Sequence, residues 1–509
     1  MFFIKQLILK PVILILQFLW MFTTGLNAYK PASGNYDFNQ DVLRAYNLVI
    51  DLRFNEAYTL LNQIKKAEPY NLATLIVEDY IDFLALMISE DKTLFRKLEA
   101  NKDIRFSKID KYGPASDPYH LFIKAEINMH WAAIDFRFGN YISCATGAIK
   151  AYKQLVRNNE KFPGFTPNMK NLGLIHVLVG SIPTAFKSGF SFFTGIDASI
   201  DFGMRELNSV IKYAENKPFI FKEETRILHA FIQLHINNEP ELAWELLNKE
   251  KIDFDSQPLL AFIYANAAHH CKKNDACINI LENRTYPNKY FALPLSYLTL
   301  GRAKLNRLDK DANIPIEKFL REYKGVTYRK EASLLLFWYY SIYSNPAKRD
   351  QYYKSVITEG NTKSESDQAA LQELKNHKTF MPALIKSRLL YDGGYSGRAM
   401  AELFKVKSQI KANTALDLEY KYRFARILQQ MNDTEAALKA YQTVLTIGKN
   451  QPEYFACNAA LQMALIYEKS NKFEFAKSYF NQCLLLNPVT YKNSLHGKAK
   501  AGLIRLNSR

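Results

Sequence analysis

The sequence predicts an all-α chain: a superhelical α-solenoid of stacked helix pairs with a helical insertion near its middle. Three observations carry this expectation. Gly (20) and Pro (18) together make up about 7% of the 509 residues, against about 12% in ordinary proteins, which argues against turn-rich β architectures. The apolar runs are long, contain Ala and Leu, and lack the period-2 alternation of half-buried strands. A small residue followed at +4 and +7 by bulky ones recurs along the chain, and that spacing lies on one helix face.

The recurring units are most complete at the C-terminal end. Met463, Ala464 and Tyr467 mark a first helix, and Ala476, Phe480 and Cys483 a second. Pro488, twelve residues past Ala476, stops it. The preceding unit has Phe424, Ala425 and Leu428, then Ala437, Tyr441 and Val444. Ala45 and Leu48, followed by Ala57, Leu61, Ile64 and Pro69, repeat the pattern near the start. Weaker copies occur at Phe231/Leu234 with Ala243/Leu247, at Leu300/Gly301 with Ala312/Ile316/Phe319, and at Leu390 with Ala399/Leu403. The small residues let two antiparallel helices approach closely, as in the tetratricopeptide unit of 34 residues, which these stretches resemble. Ala437 and Ala476 are 39 residues apart and residues 75–225 show no clear unit, so the array is degenerate.

Residues 1–28 read as a signal peptide or membrane anchor. Lys5 and Lys10 precede an almost wholly apolar run from Pro11 to Leu26, and Ala28 offers a small residue for cleavage. An uncleaved anchor is the rival, because the run approaches the ~20 residues a span needs. Either reading puts the rest of the chain outside the cytoplasm, periplasmic or membrane-anchored facing the periplasm. Beyond it the expected parts are N-terminal repeat helices (29–117), a central glycine-punctuated helical segment (118–215), degenerate repeats (216–380) and C-terminal repeats (381–509).

The central segment is the most individual. Tyr119 to Arg157 reads as one or two long helices. Gly173, Gly180, Gly189, Gly195 and Gly203 then punctuate an otherwise apolar stretch, and Ser181-Ile182-Pro183 reads as a helix start with Ser as N-cap. Three readings stand: core helices with glycines at close crossings, a hairpin dipping into a lipid surface through Phe190, Phe192 and Phe193, or a ligand pocket. Lys187 and Asp197 argue against a full span.

Taken together, Gly173, Gly180, Ser181, Pro183, Gly195, Gly203, Gly301 and the run Leu389-Leu390-Tyr391-Asp392-Gly393-Gly394-Tyr395 resemble the inclusion-body-clearance, or tetratricopeptide protein 39, family over about residues 40–505. The resemblance implies a helical, non-enzymatic protein tied to aggregate clearance and lipid handling, and supplies no catalytic residues. The secretory-type N-terminus departs from that family.

Catalytic signatures are absent from the sequence: it has no Gly-x4-Gly-Lys-Ser/Thr loop, no Gly-x-Ser-x-Gly elbow and no His-Glu-x-x-His helix. No enzyme activity, cofactor or metal is therefore expected. His269-His270-Cys271 with Cys277 is the best metal candidate, but adjacent histidines point about 100° apart on a helix and four-ligand spacing is missing. These residues read instead as a helix end and a core thiol, with a Cys271–Cys277 disulfide as the alternative in an oxidising compartment. Cys144, Cys457 and Cys483 read as buried small hydrophobes.

The net charge is +17, and the part beyond residue 28 keeps +15 because Lys5 and Lys10 are the only charges removed. The basic residues are dispersed, without the clustering that nucleic-acid binding shows, so no nucleic acid is expected. Diffuse attraction to an anionic membrane surface or an acidic peptide remains open. In a solenoid the concave face carries the function. The positions expected to line it are Leu384, Arg388 and Tyr391 in one unit and Tyr422, Arg426 and Gln429 in the next. Arg and Tyr suit a peptide's carboxylates and backbone. The expected function is a non-enzymatic scaffold binding another protein or peptide segment there. The alternative is a protein associated with a lipid or membrane surface through 171–196.

Overall fold

The computed structural model describes residues 33–181, 198–249, 251–282, 284, 286–376, 380–412 and 414–507. The candidate signal segment 1–28 and the candidate lipid-contact residues Phe190, Phe192 and Phe193 lie outside them. The chain is all-α, an α-solenoid: among the described residues the extended structure amounts to one isolated bridge between Asn35 and Asn71. No described helix is long and apolar enough to cross a membrane.

The N-terminal part opens with the pair α1 (Gln40–Ile50) and α2 (Phe54–Ala67), followed by α3 (Ala73–Ser89) and the short α4 (Lys92–Leu98) and α5 (Asn101–Tyr112). Ala45 and Ala57, the small residues of the first unit, are fully buried. Asn39 caps α1 by accepting the Val42 N–H, and Asp91 caps α4 on Thr93 and Leu94. Tyr119–Arg157 resolves into two helices, α6 (Pro118–Phe138) and α7 (Tyr141–Lys161), which form a long antiparallel hairpin. Gly139, in the left-handed region at φ 87°, ends the first of them.

Helices α8 (Met169–Gly180) and α9 (Ile200–Asn216) cross at two glycines. A Cβ on Gly203 would lie 2.4 Å from the Gly173 carbonyl oxygen, and one on Gly173 would lie 2.8 Å from the Gly203 carbonyl. Only hydrogen fits at either place. Ser181 does not act as an N-cap here. It follows α8 as its C-cap, its N–H bonded to the Val177 carbonyl and its hydroxyl donating to Leu178, because α8 runs to Gly180. The helix start expected at Pro183 lies outside the described residues.

Helix pairs then follow in sequence: α10 (Lys222–His235) with α11 (Pro240–Leu247), α12 (Pro258–His270) with α13 (Asn274–Leu281), α14 (Leu295–Arg307) with α15 (Asn313–Glu322), and α16 (Arg329–Ile342) with α17 (Pro346–Thr358). An additional helix, α18 (Glu365–Asn376), packs on α16 and α17. The array continues with α19 (Pro382–Asp392) and α20 (Ser396–Phe404), α21 (Ala415–Gln430) and α22 (Thr434–Gly448), α23 (Phe455–Lys469) and α24 (Phe473–Leu485), and α25 (Lys492–Asn507). Ala243, Ala312, Ala399, Ala437 and Ala476 are all fully buried, as are Ile316, Phe319, Leu403, Tyr441, Phe480 and Cys483. In α11, α15, α20, α22 and α24 the second helix of the pair is thus seated by a small residue and the bulky residues that follow it.

Helix α25 does more than extend the stack. It packs on α23 and α24, while its Ala501 is buried among Val177 of α8, Ile200, Met204 and Leu207 of α9, and Ile232 of α10. The Ser494 N–H also reaches Glu365 of α18. A single helix therefore ties the C-terminal repeats to the central segment.

Candidate binding cavity

Helices α12, α14, α16, α19, α21 and α23 present residues to a shared interior, and the sequence-predicted groove residues lie there. Leu384 and Tyr422 are 2% and 1% exposed, and Tyr391 is 8% exposed. The neighbouring helices cover their rings and methyl groups. Arg388 donates through Nη1 to both Glu373 carboxylate oxygens at 3.0 and 2.8 Å and stands 4.5 Å over the Trp338 ring.

Arg426 sits at the centre of a polar ladder across three inner helices. Its Nε donates to the Tyr391 hydroxyl at 2.8 Å and its Nη1 to the Tyr422 hydroxyl at 2.6 Å. The same Tyr422 oxygen accepts from Asn458 at 2.6 Å, Gln462 donates to Asn458 at 3.0 Å, and Gln429 donates to Gln462 at 3.1 Å. The Tyr441 hydroxyl closes the ladder by donating to Gln429. Five of the six predicted residues are thus brought onto one continuous strip or its immediate edge, and Leu384 lines a small adjoining cleft with Arg388.

The strip bounds two adjoining cavities. One, of about 220 Å³, is lined by Tyr391, Tyr422, Arg423, Arg426, Tyr454 and Asn458 and roofed by Ser494 and Leu495 of α25. The other, of about 270 Å³, lies between His269, His270, Lys272, Arg302, Asn306 and Trp338. Arg388, Asp392 and Tyr491 belong to both walls.

Lys272 was not legible as a site residue in the sequence. It occupies the turn after α12 at φ 57°, where Gly394 packs so closely that a Cβ would lie 2.5 Å from the Lys272 carbonyl oxygen. That contact, with the left-handed φ of 91°, explains the Gly393-Gly394 turn. The Lys272 ammonium lies 3.5 Å from the centroid of the Tyr391 ring and donates to Gln430 Oε1 at 2.9 Å. Burial, and then the Arg426 guanidinium, hold its pKa well below the usual lysine range. Burial and Arg426 also lower Lys498 of α25. His270 is pushed down to about 3 by burial, then by His235, Arg302 and Lys498.

The His269-His270-Cys271-Cys277 constellation ends α12 and enters α13. Cys277 is fully buried, and the Cys271 thiol lies 3.2 Å from the Pro240 carbonyl. Both thiols are free, as are Cys457 and Cys483, whose sulfurs lie 3.5 Å apart in the core. Cys144 is half-buried rather than buried, because it lies near the tip of the α6–α7 hairpin. Among the described residues no group of three or more His, Cys, Asp or Glu is arranged to hold a metal ion.

A second polar cluster, also not legible in the sequence, lies in the N-terminal core. Asp79 accepts from Arg105 Nη1 at 2.9 Å and from Trp131 Nε1 at 3.0 Å, and pairs with His130 Nδ1 at 2.8 Å. Arg105 Nη2 reaches Asp82 at 2.5 Å. Lys170 bridges Glu126 and Glu224, both at 2.6 Å, and Asn171 donates to Glu126 at 2.8 Å. These bonds occupy the charged groups with one another and join α3, α5, α6, α8 and α10. The cluster therefore works as internal bracing.

Comparison with known proteins agrees with the geometry of the C-terminal pairs. No curated protein matches the chain. Residues 418–450 and 458–490 match the tetratricopeptide repeat model, covering α21–α22 and α23–α24. The chain carries tetratricopeptide repeats, a unit that generally serves protein–protein interaction.

Proposed function

We propose that this protein is a non-enzymatic scaffold that holds a partner polypeptide along the inner face of α19, α21 and α23. The observation that carries this reading is the unbroken strip from Tyr391 through Arg426 and Tyr422 to Asn458, Gln462 and Gln429. Arginine and tyrosine stacked on consecutive helices are the side chains that dominate recognition surfaces. Helix α25 already lies against part of this strip, so a partner helix engages it by exchange, in the helix-in-groove manner. The resemblance to the tetratricopeptide protein 39 family supports a role in handling other proteins. In this reading residues 1–28 export the chain or anchor it facing the periplasm.

Cross-linking mass spectrometry in the native host tests the assignment. Partner cross-links are expected on lysines of the inner helices, such as Lys386, Lys421 and Lys469. Cross-links confined to the outer helices α20, α22 and α24 would sink it. Intact-mass analysis of the exported protein decides between cleavage after Ala28 and a retained segment.

A further inference from the structure

We propose that the interior cavities between Lys272, Arg388, Arg426 and α25 form a binding site for a small dianionic oxyanion of the phosphate class. The first ground is charge. Five cationic side chains (Lys272, Arg302, Arg388, Arg423, Arg426) line the two cavities against two carboxylates, Asp392 and Glu331. Arg302, Arg388 and Arg423 are neutralised by Glu331, Glu373 and Glu419. Lys272, Arg426 and Lys498 have no carboxylate within ion-pair distance among the described residues.

The second ground is geometry. Arg426 donates only to two phenols, and Lys272 to an amide and a ring face. Asp392 acts on Lys272 and Arg426, and Glu365 on Lys498, from beyond ion-pair distance, and cations enclosed together with so little counter-charge are costly unless an anion joins them. The remaining nearby carboxylates are Asp392, whose side chain approaches Arg388 at 3.9 Å, and Glu365, which accepts the Ser494 N–H.

The third ground is fit. A phosphate monoester brings a charge of about −1.5 to −2 and three acceptor oxygens, which matches the excess better than one carboxylate. The guanidinium fork, ammonium and tyrosine hydroxyls are its usual partners. The cavities, about 220 and 270 Å³, admit a small phosphorylated molecule.

The test is calorimetric titration of the purified protein with inorganic phosphate, pyrophosphate and citrate in chloride buffer, with thermal unfolding read in parallel. Phosphate or pyrophosphate is expected to bind, to raise the unfolding midpoint, and to lose affinity about tenfold or more in Lys272→Gln and Arg426→Gln. If Arg426→Gln does not fold, Lys272→Gln and Lys498→Gln carry the comparison, and circular dichroism identifies which variants are folded. Vesicles of phosphatidic acid separate the sources of the group. Retention on them that is lost in Lys272→Gln, without a response to free phosphate, supports the chemistry and assigns it to a lipid headgroup. No binding of either form, binding unchanged in the folded variants, or citrate binding more tightly than pyrophosphate overturns the proposal.

Discussion

Two glycines inside helices make opposite predictions for the same substitution. Helix propensity alone favours Gly→Ala by about 1 kcal/mol at either place. At Gly203 the new Cβ would lie 2.4 Å from the Gly173 carbonyl oxygen and 2.7 Å from the Val177 nitrogen. Both are backbone atoms, so no rotamer relieves the clash. Restoring ordinary contact requires α8 and α9 to separate by about 1 Å, which forfeits a quarter to a half of each dispersion contact along the crossing. Overpacking of this kind costs about 3 kcal/mol at the upper end of the usual range. After the propensity gain, about 2 kcal/mol of destabilisation remains. At Gly497 in α25 nothing lies within 4 Å of an added Cβ, so the propensity gain stands alone.

Hydrogen exchange reads both effects locally. Gly203→Ala is expected to speed exchange in peptides of α8 and α9 by about 30-fold, the equivalent of about 2 kcal/mol. Gly497→Ala is expected to slow exchange in α25. Unchanged or slower exchange at the α8–α9 crossing in Gly203→Ala would refute the reasoning, because it would mean the two helices are not in backbone contact there.

Three further outcomes are expected. Asp79→Asn should destabilise the protein by about 1.5–3 kcal/mol in urea unfolding, because Arg105 keeps Asp82 but loses one of its two buried charged partners; a loss below 1 kcal/mol would contradict the bracing role. Burial holds His229 below the usual histidine range, with Lys249 adding to the effect, and burial chiefly lowers His269 well below it. The unfolded chain then takes up protons first as pH falls through about 6.5, so these groups leave stability intact above that pH and reduce it below; a thermal midpoint independent of pH between 7 and 5.5, or one equally sensitive in His229→Gln, would count against this. Native thiol titration should find Cys144 reacting fastest of the five cysteines, since the other four are buried; rapid reaction of Cys277 would mean that α13 is not seated as described.

The helix pairs were legible because their marks act by size. A small residue at a close crossing leaves a pattern in the sequence, and Ala57, Ala243, Ala437 and Ala476 are fully buried where that pattern put them. Arg388, Tyr391, Tyr422 and Arg426 were also legible as one inward-facing set, because places in successive units stack. Their covering was not. Lys272 reaches the strip from a turn more than a hundred residues earlier, and Lys498 approaches it from α25. The N-terminal network was equally hidden. Asp79, Asp82, Glu126 and Lys170 carry no mark in the sequence that sets them apart from other polar residues on helices. Only the convergence of α3, α5, α6 and α8 makes them interior.

The seating of Ala501 among Val177, Ile200 and Ile232 has a consequence for how the molecule is made. An ordinary solenoid gains order repeat by repeat, each needing only its neighbour. Here a sticky patch formed early in synthesis waits for a helix emerging some 270 residues after its last contributor. Until then the nascent chain carries bare apolar surface, which is the condition that recruits holding chaperones and invites misassembly.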